Sequence, residues 1–402
     1  MPRERPSRRP AKAALSVPPT TAGETVLLAV TGMAPAILTE TIWALAHPTD
    51  GSEPVIPTRV IVVTTTQGRQ KVNQLFEPAS QLAGQTPWEA LRQALQAGGH
   101  NLTGKLRFGQ TAADIRIITA HDAATGRSTE LSDIRDQTDN EAAADFLLEQ
   151  VRTVVENPDL NLVVSIAGGR KTMSALLYAC MTLIGRETDR LTHVLVSEPF
   201  ESLRGFWFPS QPGADLQDHA GRTHRPAWAR VELAEVPFVP LRNLFRQQLG
   251  RKAGTFSRLV NECRRDLQQR AAEDLRVTVE IARPQIEING QAIRLAPLEQ
   301  LLFLFLARRA KHNEPAYAAY KDAMDDVNTF REEQLTVAKD FNDWRHADSL
   351  RAAWDERAIT KAVAGIRDKL RRAGGDAARL ASCLPRKGEC ALFVPGPMVF
   401  LK

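Results

Sequence analysis

The residues best suited to chemistry follow the apolar run Leu160–Ile166 and read Ala167-Gly168-Gly169-Arg170-Lys171-Thr172. An apolar run, two glycines and a second apolar stretch predict a strand, a turn and a helix N-terminus. Such a helix start presents free N–H groups and a partial positive charge to phosphate. The glycines permit a close backbone approach, while Arg170 and Lys171 add positive charge. We therefore predict a phosphate-binding loop; the alternative is a tight turn with two solvated basic side chains.

Two familiar phosphate loops do not fit this segment. Arg170 separates Gly169 from Lys171, which excludes Gly-x-x-x-x-Gly-Lys-Ser/Thr, and Gly-x-Gly-x-x-Gly is absent. The segment therefore predicts neither ATP hydrolysis nor NAD binding, and we expect no cofactor. The four cysteines lack the spacing of zinc ligands, so no metal site is predicted and the thiols are expected to be reduced.

Two further polar segments stand where neighbouring strands are expected to end. The first is Thr31-Gly32-Met33-Ala34-Pro35, with Thr39 in the helix that follows, and the second contains Thr65, Thr66 and Gln67. Ligands on open α/β sheets collect at the carboxyl ends of strands, so we predict that both segments join the Gly168 loop in one binding site. Helix capping is the favoured alternative for Thr66, and for Asp139 and Asn140 further along.

The stretch 25–241 alternates short β-branched runs with longer amphipathic segments. This is the pattern of βα units around a mostly parallel sheet, and it predicts a Rossmann-like α/β domain. The predicted strands are Thr25–Thr31, Thr58–Thr65, Ile115–Thr119, Leu160–Ile166 and Thr192–Ser197. The predicted helices are Ala36–Ala46, Arg69–Ala83, Asn140–Glu156 and Lys171–Arg186.

The flanking regions differ in charge and pattern. Residues 1–24 are predicted to be a disordered basic tail, and 242–275 a helical connector. Residues 276–402 are predicted to form an α+β domain, and residues 241–402 carry 29 basic against 21 acidic side chains. The chain has no apolar run of about 18 residues and no signal-peptide core, so a cytoplasmic location without membrane contact is expected.

The C-terminal domain opens with a hairpin signal at Asn289-Gly290, followed by a helix from Pro297. A basic helix at Ile359–Arg372 and two terminal strands, Ala391–Val394 and Met398–Leu401, complete it. This order resembles the winged helix-turn-helix of response regulators, which implies DNA binding or protein docking. The possible DNA contacts are Lys361, Arg367 and Arg371 in the helix and Arg386 and Lys387 in the wing; a solvated basic surface is the alternative.

Four ordered motifs over about Val26–Leu241 resemble the CARF domain, the CRISPR-associated Rossmann fold, in its ring-nuclease branch. They are Ser165–Ser174, the Thr31–Pro35 turn, Asp133-Ile-Arg with Asp139-Asn140, and His193–Ser197. The resemblance implies a homodimer that binds cyclic oligoadenylate, the second messenger of type III CRISPR systems. It also implies cleavage of cyclic tetra-adenylate without metal, which ends the signal.

The same resemblance implies roles for individual residues. In this chemistry each 2′-OH attacks its own 3′-phosphodiester and leaves a 2′,3′-cyclic phosphate. Lys171 matches the family's catalytic lysine, and Arg170 is the next candidate, for phosphate binding. The family usually has Ser or Thr directly before the proline of the first turn, where this chain has Ala34. The missing hydroxyl is expected to slow cleavage more than binding.

Two other functions fit the sequence. One is a transcriptional regulator in which cyclic oligoadenylate alters the spacing of two winged helices on DNA, without cleavage. The other is an effector ribonuclease with an Arg-x4–6-His motif. Arg116/His121 and Arg186/His193 have that spacing, but both pairs fall within the α/β domain, so chance explains them better.

Overall fold

The computed structural model describes residues 23–122, 125–244, 254–337, 343–386 and 389–402. The chain divides into two compact units, Met1–Leu259 and Val260–Lys402. Of the predicted tail, only Gly23 and Glu24 are among the described residues. Part of the predicted connector, 245–253, and the predicted DNA contact Lys387 also lie outside them.

The first unit is built on a six-stranded sheet. Its strands are β1 (Glu24–Val30), β2 (Arg59–Thr64), β3 (Ile115–Ile117), β6 (Leu160–Ser165), β7 (Arg190–Val196) and β10 (Val231–Glu235). Their order is β10-β7-β6-β1-β2-β3, and only β10 runs antiparallel to its neighbour. The predicted α/β class with a mostly parallel sheet is confirmed. Two small hairpins lie outside this sheet: β4 (Thr119–Asp122) with β5 (Arg127–Glu130), and β8 (Leu216–Gln217) with β9 (Thr223–His224).

Five helices in the described part of the first unit connect these strands. They are α1 (Ala36–Ala46), α2 (Thr66–Val72), α3 (Pro87–Ala97), α4 (Gln137–Val155) and α5 (Lys171–Ile184). Successive residues of β1 point to opposite faces of the sheet, and all from Thr25 to Val30 are buried. Both faces are therefore covered, as a parallel sheet requires. One core joins α1 and α3 to Leu27, Val60 and Val62.

The predicted helix Arg69–Ala83 was wrong in extent. Helix α2 ends at Val72, and only short 3-10 turns follow, at Asn73–Phe76 and Ser80–Leu82. Pro78 explains why the helical run stops at Phe76, because the residue before a proline is pushed out of the helical region and Glu77 is extended. Helix α3 was not predicted from the sequence, although its start carries a capping signal. The Thr86 hydroxyl accepts a hydrogen bond from the Glu89 N–H at 3.2 Å.

The strand order places a topological switch point between β1 and β6. From β1 the chain continues to β2 and β3 on one side of the sheet, whereas β6, β7 and β10 follow on the other. In open α/β sheets, ligands bind outside the carboxyl ends of the strands at such a point. The segments that follow β1 and β6 are therefore the first place to look for a site.

The second unit combines a four-stranded sheet with helices. Helix α6 (Phe256–Ala271) crosses the division between the units. The strands are β11 (Val277–Val279), β12 (Gln285–Ile288), β13 (Gln291–Arg294) and β14 (Val399–Leu401), in the order β13-β12-β11-β14. The helices are α7 (Pro297–Lys311), α8 (Met324–Val337), α9 (Glu356–Ala373) and α10 (Gly375–Ser382). The predicted turn between β12 and β13 is confirmed, since Asn289 and Gly290 both have positive φ.

The predicted terminal strand Ala391–Val394 was wrong, because these residues form no strand. The second predicted strand, Met398–Leu401, is present as β14 and pairs in parallel with β11. The two segments are separated by Pro395 and Pro397, which donate no N–H to a ladder. Leu392, Phe393 and Val394 are nevertheless buried, in the core of the second unit. Their apolar character therefore marks a core segment rather than a strand.

Candidate functional site

The turn after β1 and the loop after β6 are in direct contact. We call Thr31–Pro35 the β1–α1 turn and Ala167–Thr172 the β6–α5 loop. A β-carbon built on Gly32 would lie 3.2 Å from the Cα atom of Gly169. One built on Gly168 would lie 2.8 Å from the carbonyl oxygen of Val30. The two segments predicted from sequence therefore form one continuous surface at the switch point, and glycine permits the approach.

The end of β2 joins the same surface. The Thr64 hydroxyl donates a hydrogen bond of 2.8 Å to the carbonyl oxygen of Thr31. A β-carbon built on Gly68 would lie 1.9 Å from the Thr64 Oγ1 atom and 3.5 Å from the Cα atom of Gly32. The polar segment Thr64–Arg69 was expected from the sequence at this strand end, and the structure shows that Gly68 permits the close packing there.

Carbonyl groups of the β6–α5 loop accept hydrogen bonds from the protein, whereas several of its N–H groups have no acceptor in the part of the chain that the structure describes. The Ser174 hydroxyl donates 2.9 Å and 3.3 Å hydrogen bonds to the carbonyl oxygens of Ile166 and Gly168, while Gly169 has φ of 81°. Lys171 and Thr172 open helix α5, and both are exposed. Within the described parts of the chain, the N–H groups of Gly169, Lys171 and Thr172 have no hydrogen-bond acceptor. The loop thus offers unbonded donors and a helix N-terminus to an anion.

Arg170 is held by an acidic partner that the sequence did not reveal. Its Nε atom donates to Asp133 Oδ1 at 2.9 Å, and its Nη2 atom donates to Asp133 Oδ2. The hydrogen bond from Arg170 lowers the pKa of Asp133, and the same contact raises the pKa of Arg170. Arg135 lies 3.7 Å from the same carboxylate. Lys171 has no ion-pair partner among the described residues, so its charge is the less neutralised of the two.

The β1–α1 turn presents an apolar surface and one buried hydroxyl. Met33 and Ala34 are exposed, whereas Pro35 is buried against the fold. The hydroxyl of Thr31 is buried and has no hydrogen-bond partner among the described residues. Thr39 does not join the surface, because it is fully buried and its hydroxyl donates to the carbonyl oxygens of Ala36 and Trp207, each at 2.8 Å.

The N-caps of α2 and α4 lie one to four residues before the positions predicted from the sequence. Thr65, not Thr66, caps α2, since its hydroxyl accepts the Gly68 N–H at 3.3 Å. Thr66 is then half-buried and Gln67 exposed at the start of the helix. Helix α4 is capped by Asp136, not by Asp139 or Asn140, through a 2.9 Å hydrogen bond from the Asp139 N–H. The hydroxyls and carboxylates lie close together in sequence, which is why the exact cap was misassigned.

The predicted DNA contacts of the second unit differ in whether their side chains are bonded to other parts of the protein. Lys361 and Arg371 are exposed on α9, with no ion-pair partner among the described residues. Arg367 donates to the carbonyl oxygen of Pro385 at 2.6 Å, and Arg386 donates to that of Ser382 at 3.2 Å. Two of these guanidinium groups therefore contribute to holding the unit together.

Among the residues that the structure describes, no group of three or more His, Cys, Asp or Glu side chains could hold a metal ion. No described helix is long and apolar enough to cross a membrane.

Comparison with known proteins places this site in a family. Residues 34–269 match the model of the family described as CRISPR-associated protein NE0113. The chain belongs to this family. In this CRISPR-associated protein the matched region contains the whole β6–α5 loop, the end of β2, and Ala34 and Pro35 of the β1–α1 turn.

The remaining comparisons add less. No curated protein matches the sequence. A solved structure, "Enterococcus italicus Csm6 bound to cyclic hexa-2'-fluoro-hexa-dAMP", aligns with a TM-score of 0.28 at 10% identity, covering 90% of this chain and 80% of that one. That TM-score is below the level of a shared fold, so the assignment of this CRISPR-associated protein depends on the family match.

Proposed function

We propose that this CRISPR-associated protein binds a cyclic oligoadenylate at the surface formed by the β1–α1 turn and the β6–α5 loop. The observation that carries the proposal is the contact between Gly32 and Gly169, which joins the two turns beside an exposed Lys171 at a helix N-terminus. Unbonded N–H groups suit phosphate, and the exposed Met33 offers an apolar contact to a base. The resemblance of the motifs to ring nucleases points to cyclic tetra-adenylate as the ring.

The proposal includes cleavage of the ring without metal. In each step a ribose 2′-oxygen attacks the adjacent 3′-phosphorus, and the bond from phosphorus to the 5′-oxygen breaks. The 2′-hydroxyl proton is lost and the departing 5′-oxygen is protonated, which leaves a 2′,3′-cyclic phosphate and a 5′-hydroxyl. Lys171 and the loop N–H groups stabilise the charge that develops on the phosphoryl oxygens. Cleavage of the ring switches the type III CRISPR signal off.

A homodimer is part of the proposal, because a ring of four nucleotides has two-fold symmetry. One copy of the β6–α5 loop would contact one half of the ring, and the loop of a second copy would contact the other. Arg170 enters as a phosphate contact whose charge is shared with Asp133. Lys171 therefore carries the larger share of the electrostatic stabilisation.

The decisive experiment incubates the full-length protein with cyclic tetra-adenylate in EDTA and follows the products by liquid chromatography. Wild-type protein should convert the ring to linear products ending in 2′,3′-cyclic phosphate. Lys171→Ala should slow this conversion by about 10²–10³-fold, the usual cost of losing one oxyanion donor. The matched control is Lys105→Ala, a lysine outside the proposed site. Intact ring after prolonged incubation with stoichiometric wild-type protein would rule cleavage out, while retained binding would leave the first half of the proposal standing.

Ala34 provides a gain-of-function test of the same chemistry. It is exposed in the β1–α1 turn, at the position where related ring nucleases carry a hydroxyl. Ala34→Ser should raise the single-turnover cleavage rate with little change in the dissociation constant, because the added hydroxyl acts on the reacting ribose or phosphate. A cleavage rate and an affinity that are both unchanged would show that this turn does not face the reacting groups.

DNA binding by the second unit is a second candidate, favoured by the exposed Lys361 and Arg371 on α9. In that case cyclic oligoadenylate would act as an effector of a transcriptional regulator. Duplex DNA from the protein's own promoter should then bind in a ligand-dependent and salt-sensitive manner. Lys361→Glu with Arg371→Glu should abolish this binding, and Arg351→Glu, an exposed arginine outside α9, serves as the control.

A further inference from the structure

A cavity separate from the proposed ring-binding surface lies in the first unit at the free edge of β3, two strands away from β1. Its volume is about 650 Å³, within the usual range of small-molecule sites. Helix α2, strand β3, hairpin strand β5 and helix α4 contribute to its walls. None of its lining residues belongs to the β1–α1 turn or the β6–α5 loop, so it is distinct from the proposed ring site.

The cavity holds two arginines that form no ion pair with a described residue, Arg69 and Arg116. Arg69 is exposed on α2. Arg116 is half-buried; its Nε atom donates to the carbonyl oxygen of Ala113 at 3.1 Å, and Nη1 donates to the side-chain oxygen of Gln150. Burial and the neighbouring Arg59 lower the pKa of Arg116. An anion in the cavity would relieve this unfavourable burial of positive charge.

The carboxylate of Asp114, which stands between Ala113 and the cavity residue Ile115 in sequence, is engaged by other groups. Asp114 accepts hydrogen bonds from the Thr111 hydroxyl at 2.9 Å and the Gly109 N–H at 3.2 Å, and it lies 3.6 Å from Arg59. Asp114 forms its ion pair with Arg59 and offsets the charge of Arg116 only in part, because burial and Arg59 still leave the pKa of Arg116 lowered. The charge that remains in the cavity is that of two guanidinium groups and the single carboxylate of Glu130.

The other walls fit the remaining parts of a nucleotide. Phe146 of α4 supplies an aromatic ring for a base, and Asn73 and Gln150 supply amide groups. Glu130 is exposed and accepts no side-chain hydrogen bond within the described chain, so it is free to accept ribose hydroxyls. A bare phosphate would use only the two arginines and leave most of the cavity unfilled.

From these residues we infer that the cavity at the edge of β3 binds a nucleoside phosphate of mononucleotide size. Arg69 and Arg116 contact the phosphate, Glu130 the ribose and Phe146 the base. The site operates independently of Lys171. The first unit therefore has a second nucleotide-binding site, which binds mononucleotides.

The test is titration of the full-length protein with AMP, adenosine and inorganic phosphate by isothermal titration calorimetry. AMP should bind saturably and at least tenfold more tightly than either fragment. Arg69→Ala should weaken AMP at least tenfold and leave adenosine unaffected. Phe146→Leu should weaken both AMP and adenosine. Arg127→Ala, an exposed arginine that does not line the cavity, is the control and should bind AMP as wild type does.

Two further measurements separate this inference from the proposed ring site. Lys171→Ala should retain AMP binding, and saturating cyclic tetra-adenylate should not displace AMP. Displacement of AMP by the ring, or loss of AMP binding in Lys171→Ala, would place AMP in the ring site and overturn the inference. Absence of saturable AMP binding, or phosphate binding as tight as AMP, would overturn it as well. Each of these results is independent of whether the ring is cleaved.

Discussion

Arg170 and Asp133 form a two-point ion pair across 37 residues of sequence, with Arg170 Nε 2.9 Å from Asp133 Oδ1. The pair lies beside the open N-terminus of α5, where Lys171 is the neighbouring cation. A phosphate that approaches the β6–α5 loop therefore meets one free charge and one that is already compensated. This difference ranks Lys171 above Arg170 on electrostatic grounds, in the same order that the family resemblance implied.

The ranking predicts unequal effects on ring affinity. Arg170→Ala should weaken cyclic tetra-adenylate binding less than Lys171→Ala does. Asp133→Asn should tighten binding severalfold at low salt, with the gain shrinking as salt is added, because it frees the Arg170 charge. Fluorescence titrations at 50 and 300 mM NaCl measure both effects. Weaker binding by Asp133→Asn would show that Asp133 acts chiefly by orienting Arg170.

The same pair should contribute little to folding. The Arg170 side chain is 57% exposed and that of Asp133 12%, so water screens the pair from the arginine side, and we expect it to add under about 1 kcal/mol. Asp133→Asn should therefore leave the urea midpoint almost unchanged while it alters ring affinity. A large loss of stability would mean that Asp133 supports the fold through its hydrogen bond from the Ile134 N–H at 2.8 Å.

Gly168→Ala tests the packing beneath the loop. The added methyl group would lie 2.8 Å from the Val30 carbonyl oxygen, so the backbone must move. We expect a loss of about 1–3 kcal/mol in the free energy of unfolding, together with weaker ring binding. Gly126→Ala is the control: its φ is +68° but a β-carbon there meets open space, so it reports backbone strain alone. Equal losses in the two variants would contradict the packing argument.

Glu40 predicts a pH dependence of stability. Burial, assisted by Glu201, raises the pKa of Glu40 to about 8. The folded state then holds this proton more tightly than the unfolded state, whose pKa is near 4.5. Stability should fall as pH rises from about 4.5 to about 8, because the unfolded state ionises first. Glu40→Gln should flatten this fall in thermal melts and raise the melting temperature at pH 8, whereas the exposed Glu77→Gln should not. A steep fall that persists in Glu40→Gln would exclude Glu40 as its source.

Glu299 predicts a local contribution in the second unit. Its carboxylate accepts the Ala296 N–H at 2.7 Å, at the start of α7, and lies 2.6 Å from Lys369 Nζ of α9. Glu299→Ala should cost about 1–2 kcal/mol, since it removes both a cap and an ion pair. Glu299→Gln keeps an acceptor for the N–H and should cost less. If chemical denaturation gave the same loss of stability for Glu299→Ala and Glu299→Gln, the effect would be assigned to the charge alone.

The central elements of the first unit were predictable because their apolar runs are short and sharply bounded. The starts of α1 at Ala36 and α5 at Lys171 match the predictions, and β1 and β6 match to within a residue. Proline and glycine mark these boundaries in the sequence. The apposition of the β1–α1 turn and the β6–α5 loop followed from the rule that ligands collect at the switch point.

Other features required the tertiary structure. The partner of Arg170 stands 37 positions away, and no local pattern connects them. Thr39 looked available because a hydroxyl near a helix start suits a ligand, yet it is buried against the Trp207 carbonyl. Leu392–Val394 reads as a strand because buried apolar segments look alike in sequence whether or not they pair. In each case the missing information was which distant segment packs against the residue.

The contact between Gly32 and Gly169 has an evolutionary corollary. Any replacement of a glycine by another amino acid adds a β-carbon, and at Gly32 that atom would press on the opposing backbone at 3.2 Å. A larger residue at Gly32 therefore requires the backbone at Gly169 to move away. In the descendants of this chain the two positions should change together or not at all, so their joint variation across relatives would reveal which lineages have given up the shared surface.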